Sequence, residues 1–193
     1  KYLNYKRILT PDDVMAGKLL DDMSKGPIVI FDDDRFYMGS VLAELAVKTG
    51  RKVVFISSTP TVSAWSENTL EQSRIQSKLM NLNIEIITSH KLCNHQDKQL
   101  SISCLFTEKI LQIECETLIL VTSRIPNDIL WRELSIKKDT WKDMGIETVT
   151  RIGDCLQPGL IAMAVQSGHK FVRTVEEQQE DLFKREDQNY PRD

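Results

Sequence analysis

One stretch constrains the fold more than any other. Ile28-Val29-Ile30-Phe31 is an unbroken apolar run, the pattern of a strand buried on both faces. A helical stretch follows from Ser40 to Thr49, and Gly50 stands where a helix C-terminus favours glycine. Val53-Val54-Phe55-Ile56 is a second apolar run. Strand, helix and strand within about 30 residues make a βαβ unit, which requires a parallel sheet.

The rest of the chain extends that unit. Glu67 to Met80 reads as a second helix, closed by Asn81 and Asn83, and Ile84-Glu85-Ile86-Ile87 as a third strand. The apolar period then changes to two. Leu100 to Phe106 and Ile110 to Cys115 read as antiparallel strands, and Thr117 to Thr122 returns to the buried parallel type. Short helices are expected over Asn127 to Leu134 and Lys137 to Met144, a strand over Glu147 to Ile152, and a long helix over Pro158 to Glu177. That helix carries Ile161, Val165, His169 and Val172 on one face. Ahead of the first strand, Pro11-Asp12-Asp13-Val14 can start a short helix with Thr10 as its cap. The expected class is α/β: a three-layer, Rossmann-like FAD/NAD(P)-binding fold with a small antiparallel β layer. Its parts are a lead-in segment (1–25), an NAD(P)-like domain (26–126), the C-terminal part of an FAD/ADP-type domain (127–177) and a charged tail (178–193).

Composition excludes several functions. With 41% hydrophobic residues the chain can build a core. A net charge of -3 argues against a nucleic-acid partner, which calls for a basic face. No apolar run approaches the roughly 20 residues that span a bilayer. Cys93, Cys104, Cys115 and Cys155 form no C-x-x-C pair and have no histidines at ligand spacing, so a zinc or iron–sulfur site within the chain is not expected. With no secretion signal, they read as reduced thiols of a cytoplasmic protein. A first residue of lysine favours a piece of a longer protein.

Several motifs, taken in order, resemble one group of flavoproteins. Thr122-Ser123-Arg124-Ile125-Pro126-Asn127 is similar to the T-G-R-x-P-N segment of the glutathione reductase type, and Thr148 to Asp154 to its later I-G-D strand. Leu9 to Lys18, Phe36-Tyr37-Met38 before Leu42 to Leu45, Leu130 to Leu134 and Ser167-Gly168-His169-Lys170 narrow the resemblance. Together they resemble the C-terminal nucleotide-binding region of the trimethylamine/dimethylamine/histamine dehydrogenase family. The resemblance implies an N-terminal barrel holding FMN and a 4Fe-4S cluster, as partner within the same polypeptide. It further implies electron transfer to an electron-transferring flavoprotein, and it leaves room for a homodimer. It implies ADP as ligand, in a pocket this segment only completes, with Gly153 and Asp154 as the cofactor-binding residues. No catalytic or metal-binding residue is expected here.

The first strand–helix turn points away from NAD. It reads Phe31-Asp32-Asp33-Asp34-Arg35-Phe36-Tyr37-Met38-Gly39, with one glycine where a pyrophosphate loop has three. Like charges about 4 Å apart repel by about 1 kcal/mol in water and about 4 kcal/mol near a protein surface. The second strand ends in Ile56-Ser57-Ser58, without an acid for the ribose. The plainer reading of Asp32 to Asp34 is an acidic turn capping the next helix. Two alternatives stay open: a non-catalytic interaction module that keeps a degenerate dinucleotide fold, and a Mg²⁺-dependent phosphatase using Asp32 and Asp34. His90, His95 and His169 have no evident partners in sequence, and Trp65, Trp131 and Trp141 read as packing anchors.

Overall fold

A computed structural model describes residues 7–20, 25–96 and 98–174. The charged tail therefore lies outside the described residues. The chain divides into two compact units, residues 1–123 and 124–193.

The first unit is built on a parallel sheet. Its strands are β1 (Ile8–Leu9), β2 (Ile28–Asp32), β3 (Val53–Ser57), β4 (Glu85–Ile87) and β8 (Thr117–Val121), in the order β1-β8-β2-β3-β4. Helices α1 (Pro11–Met15), α2 (Met38–Val47) and α3 (Gln72–Asn81) belong to the same unit. Strands β5 (His90–Gln96), β6 (Gln99–Cys104) and β7 (Ile110–Glu114) form a separate antiparallel sheet.

Alternation along the strands makes three layers. Ile28, Ile30, Val53 and Phe55 pack with Leu42, Ala43 and Ala46 of α2 and Leu79 of α3. Val29, Phe31, Val54 and Ile56 point the other way and pack with Leu100 and Ile102 of β6. A sheet covered on both sides needs apolar residues at every position, which is why the runs at 28–31 and 53–56 are continuous.

Local signals hold where the chain decides alone. Thr10 caps α1 in a capping box with Asp13, and Gly50 follows α2 at φ +72°. Four expectations change. The helix expected over 67–80 is interrupted: a 3-10 helix runs over Ala64–Thr69, Leu70 turns left-handed at φ 60°, and α3 starts at Gln72. The lead-in contributes β1, a two-residue strand at the edge of the sheet. Strand β5 was not foreseen. The strand expected over Glu147 to Ile152 does not form, since no strand pairs with it among the described residues.

The second unit contains α4 (Ile129–Ile136), short 3-10 turns at Lys138–Thr140 and Gly153–Cys155, and α5 (Ile161–Thr174). The second short helix expected here, over 137–144, is thus only a 3-10 turn. The face of α5 bearing Ile161, Val165, His169 and Val172 is exposed rather than packed.

Candidate functional site

Parallel α/β sheets bind ligands beyond the carboxyl ends of their strands. Here that position is occupied by the acidic turn. Asp32 ends β2 between Ser57 of β3 and Val121 of β8. Its side chain has no solvent exposure. Oδ1 accepts hydrogen bonds from the backbone N–H groups of Asp34 and Arg35, each at 3.1 Å. Oδ2 has no hydrogen-bond partner. The carboxyl lies against the start of α2, where a Cβ added to Gly39 would sit 2.7 Å from Asp32 Cγ and 2.8 Å from Oδ2.

The turn is fixed on several sides. Asp33 and Asp34 donate their N–H groups to the Val121 carbonyl at 2.8 and 3.2 Å. Ser58 Oγ donates to Asp33 Oδ1 at 2.6 Å, and Arg35 adopts φ +68°. Trp65 N–H donates to the Arg35 carbonyl, and its ring lies 4.9 Å from that of Phe36. This is an Asx-type turn, in which a short acid folds back on the following N–H groups. The helix-capping reading is corrected: α2 begins at Met38, its N-cap is Tyr37, and no side chain caps it. The carboxyl serves its own turn.

Burial raises the Asp32 carboxyl to about 7; the charges of Asp34 and Asp33 add to this, against the lowering effect of the Arg35 and Asp34 N–H groups. Glu116, next to the amino end of β8, is the contrasting case. It accepts from Lys98 at 2.8 Å and from Arg7, and the Lys98 hydrogen bond leads in holding it below the usual carboxylate range.

Gly153 and Asp154 lie in the second unit. Gly153 has φ +58°, a conformation that favours glycine, and its N–H donates to Ser167 Oγ of α5 at 3.0 Å. Asp154 is exposed, and its Oδ1 accepts the Gly159 N–H at 3.2 Å. Near in sequence, Asp128 is buried. It accepts from Arg132 Nε and Arg151 Nη1, both at 2.7 Å, and Arg151 stacks 4.1 Å above the centre of the Trp131 ring. The Arg132 hydrogen bond leads in lowering the Asp128 carboxyl.

Comparison with known proteins now decides the family. The family described as the OYE-like second alpha/beta domain matches residues 9–118. The chain belongs to that family. Dimethylamine dehydrogenase of Hyphomicrobium sp. (strain x) is 28% identical over 200 residues, which cover 93% of this chain and 27% of that protein. Histamine dehydrogenase from Rhizobium sp. 4-9 superposes with a TM-score of 0.83 at 34% identity, over 96% of this chain and 29% of the other. The 6-hydroxypseudooxynicotine amine oxidase of Pseudomonas geniculata N1 gives 0.76 at 29% identity, over 86% and 24%. The chain thus spans under a third of the length of these relatives. The resemblance to the dimethylamine and histamine dehydrogenases is borne out.

Within this OYE-like second alpha/beta domain chain, the expected residues fall into separate places. Asp32 belongs to the unit of residues 1–123, and Gly153 and Asp154 to the unit of 124–193. The phosphatase alternative meets a physical obstacle: a nucleophile must reach solvent and metal, and Asp32 reaches neither solvent nor a second ligand. Among the described residues, no group of three or more His, Cys, Asp or Glu side chains is placed to hold a metal ion. His95 is buried, which lowers it, with Nε2 3.5 Å from the Cys115 carbonyl; His169 is exposed. Sequence reasoning missed the Asp128 cluster. The four-residue spacing of Asp128 and Arg132 on one helix face was a usable signal, whereas Arg151 carried none.

Proposed function

We propose that this chain is the nucleotide-fold portion of an amine-oxidising flavin/iron–sulfur dehydrogenase, and that it carries no catalytic group of its own. The likeness to histamine dehydrogenase carries the reading, because it runs over 96% of this chain yet only 29% of that protein. In the longer polypeptide an N-terminal barrel holds FMN and the 4Fe-4S cluster, and electrons leave to an electron-transferring flavoprotein. The parallel sheet acts as a Rossmann-type scaffold that has given up NAD: Asp32 fills the space that Gly39 opens beside it, where a pyrophosphate would approach. Four unbridged cysteines suit a reducing, cytoplasmic setting. Among the described residues, no helix is long and apolar enough to cross a membrane.

Gly153 and Asp154 supply one edge of an ADP pocket in this reading. Asp154 keeps an exposed carboxylate that suits a ribose hydroxyl, and Gly153 keeps the backbone close to α5. When bound, ADP would act as a structural ligand.

The test is amine-dependent reduction of an artificial electron acceptor. It is run on the 193-residue chain and on the polypeptide extended upstream of Lys1. Turnover is expected only from the extended polypeptide. Turnover by the chain alone, or an upstream region without a flavin-binding barrel, would overturn the reading. Calorimetric titration adds the ligand: ADP should bind the extended polypeptide and bind more weakly after Asp154→Ala, and NADH should not bind the chain.

A further inference from the structure

Asp32 poses a problem that the proposed function does not absorb. A fully buried carboxylate is expensive unless ion-paired or fully hydrogen-bonded. Asp32 satisfies one oxygen with two backbone N–H groups and leaves the other with none. The groups bearing charge around it come from its own turn: Asp33, Asp34 and Arg35, the last reaching Asp33 Oδ1 at 3.6 Å. The other elements packed against it bring Ser57 from β3, Val121 from β8 and Gly39 from α2, all uncharged. The arrangement suits an acid that keeps its proton. Oδ1 then accepts as a carbonyl, while Oδ2–H is a neutral group packed against the first turn of α2.

We propose that Asp32 is held as the neutral acid, and that its proton locks the junction between β2 and α2. On losing that proton to solvent, the side chain becomes an anion beside two other carboxylates with no cation against its second oxygen. The junction then loosens over residues 33 to 40. Through the Arg35 carbonyl and the Phe36 ring the change reaches Trp65. The claim is independent of the dehydrogenase reading.

The sign follows from linkage. The folded carboxyl titrates near 7, against 3.8 when unperturbed. The group's stabilising contribution is therefore complete below 3.8 and is lost as pH rises through about 7. Within that window the folded-to-unfolded ratio changes by up to about tenfold per pH unit for a single proton. Asp32→Asn keeps the shape and can place an N–H group where Oδ2–H lies.

The experiment compares thermal and denaturant unfolding of the wild-type chain and D32N across this range. Amide hydrogen exchange is followed over residues 33 to 40. D32N should match wild type on the acid side and exceed it increasingly on the alkaline side. In wild type, exchange over 33–40 should accelerate beyond the intrinsic base catalysis as pH passes the window, and not in D32N. Asp34→Asn, which removes a neighbouring charge that raises the Asp32 carboxyl, should move the wild-type transition to lower pH. A difference between wild type and D32N that ignores pH would overturn the proposal, as would a wild type more stable than D32N on the alkaline side. If D32N does not fold, exchange over 33–40 in wild type and D34N decides alone, and a flat profile in both sinks the idea.

Discussion

The unit of residues 1–123 and the unit of residues 124–193 are stabilised by different physics. The first buries apolar side chains on both faces of its parallel sheet, with Ile28, Ile30, Phe55, Ile56, Leu118 and Ile119 all at 0% exposure. The second buries no apolar side chain among its described residues. Its one buried residue there is Asp128, and it is held by backbone turns, the Asp128–Arg132–Arg151 ion pairs and the Trp131 stack. Ile125, Ile136, Ile161 and Val172 stand 87%, 84%, 85% and 71% exposed. A small unit with apolar side chains facing water lacks the main driving force for independent stability. Contiguous apolar surface is more commonly covered by other protein than left facing water. The contrast accords with a chain that is one part of a longer polypeptide.

Four substitutions can break or sharpen that contrast. The largest effect is expected at Phe55 of β3, fully buried in the core that the sheet shares with α2 and α3. Phe55→Ala should cost about 3–5 kcal/mol in denaturant unfolding of the chain, because it removes buried surface and leaves a cavity. A cost near that of a surface change would mean the first unit is not held by its core. Next comes Gly39→Ala. Its new methyl group would meet Asp32 Cγ at 2.7 Å, and the expected loss is about 1–3 kcal/mol from overpacking. An unchanged midpoint would show that the β2–α2 junction is looser than its geometry. The smallest effect is expected for Val172→Ser and Ile161→Ser, within about 0.5 kcal/mol in the chain alone. In the upstream-extended polypeptide the same pair should lower stability well beyond that. Equal, small effects in both settings would remove the docking role from α5.

What could be read from sequence tracks how local each signal was. The parallel strands β2, β3 and β8 were legible because burial on both faces demands near-continuous apolar runs, and α1 because a capping box is written within four residues. Strand β5 was not legible: His90 to Gln96 is mostly polar, and its place comes from pairing with β6, with a register shift between Leu92 and Asn94. The break at Leu70 was hidden because leucine gives no sign of a left-handed backbone. Glu147 to Ile152 shows the converse. Its residues favour a strand, but a strand exists only with a neighbour to bond.

The candidate site divides in the same way. Three aspartates and a single glycine already argued that the first turn was no ordinary phosphate loop. Only the fold showed that Asp32 is buried, that it bonds its own turn, and that one of its oxygens is left over.

By itself the sequence determined the α/β order, the buried strands and the kinship with the amine dehydrogenases, because apolar periodicity and motif order are properties of neighbours along the chain. The tertiary structure decided which acid is paired and which is not. Hydrogen bonds and burial depend on residues far apart in sequence: Glu116 meets Arg7 across more than a hundred residues, while Asp32 meets only its own turn and the uncharged start of α2.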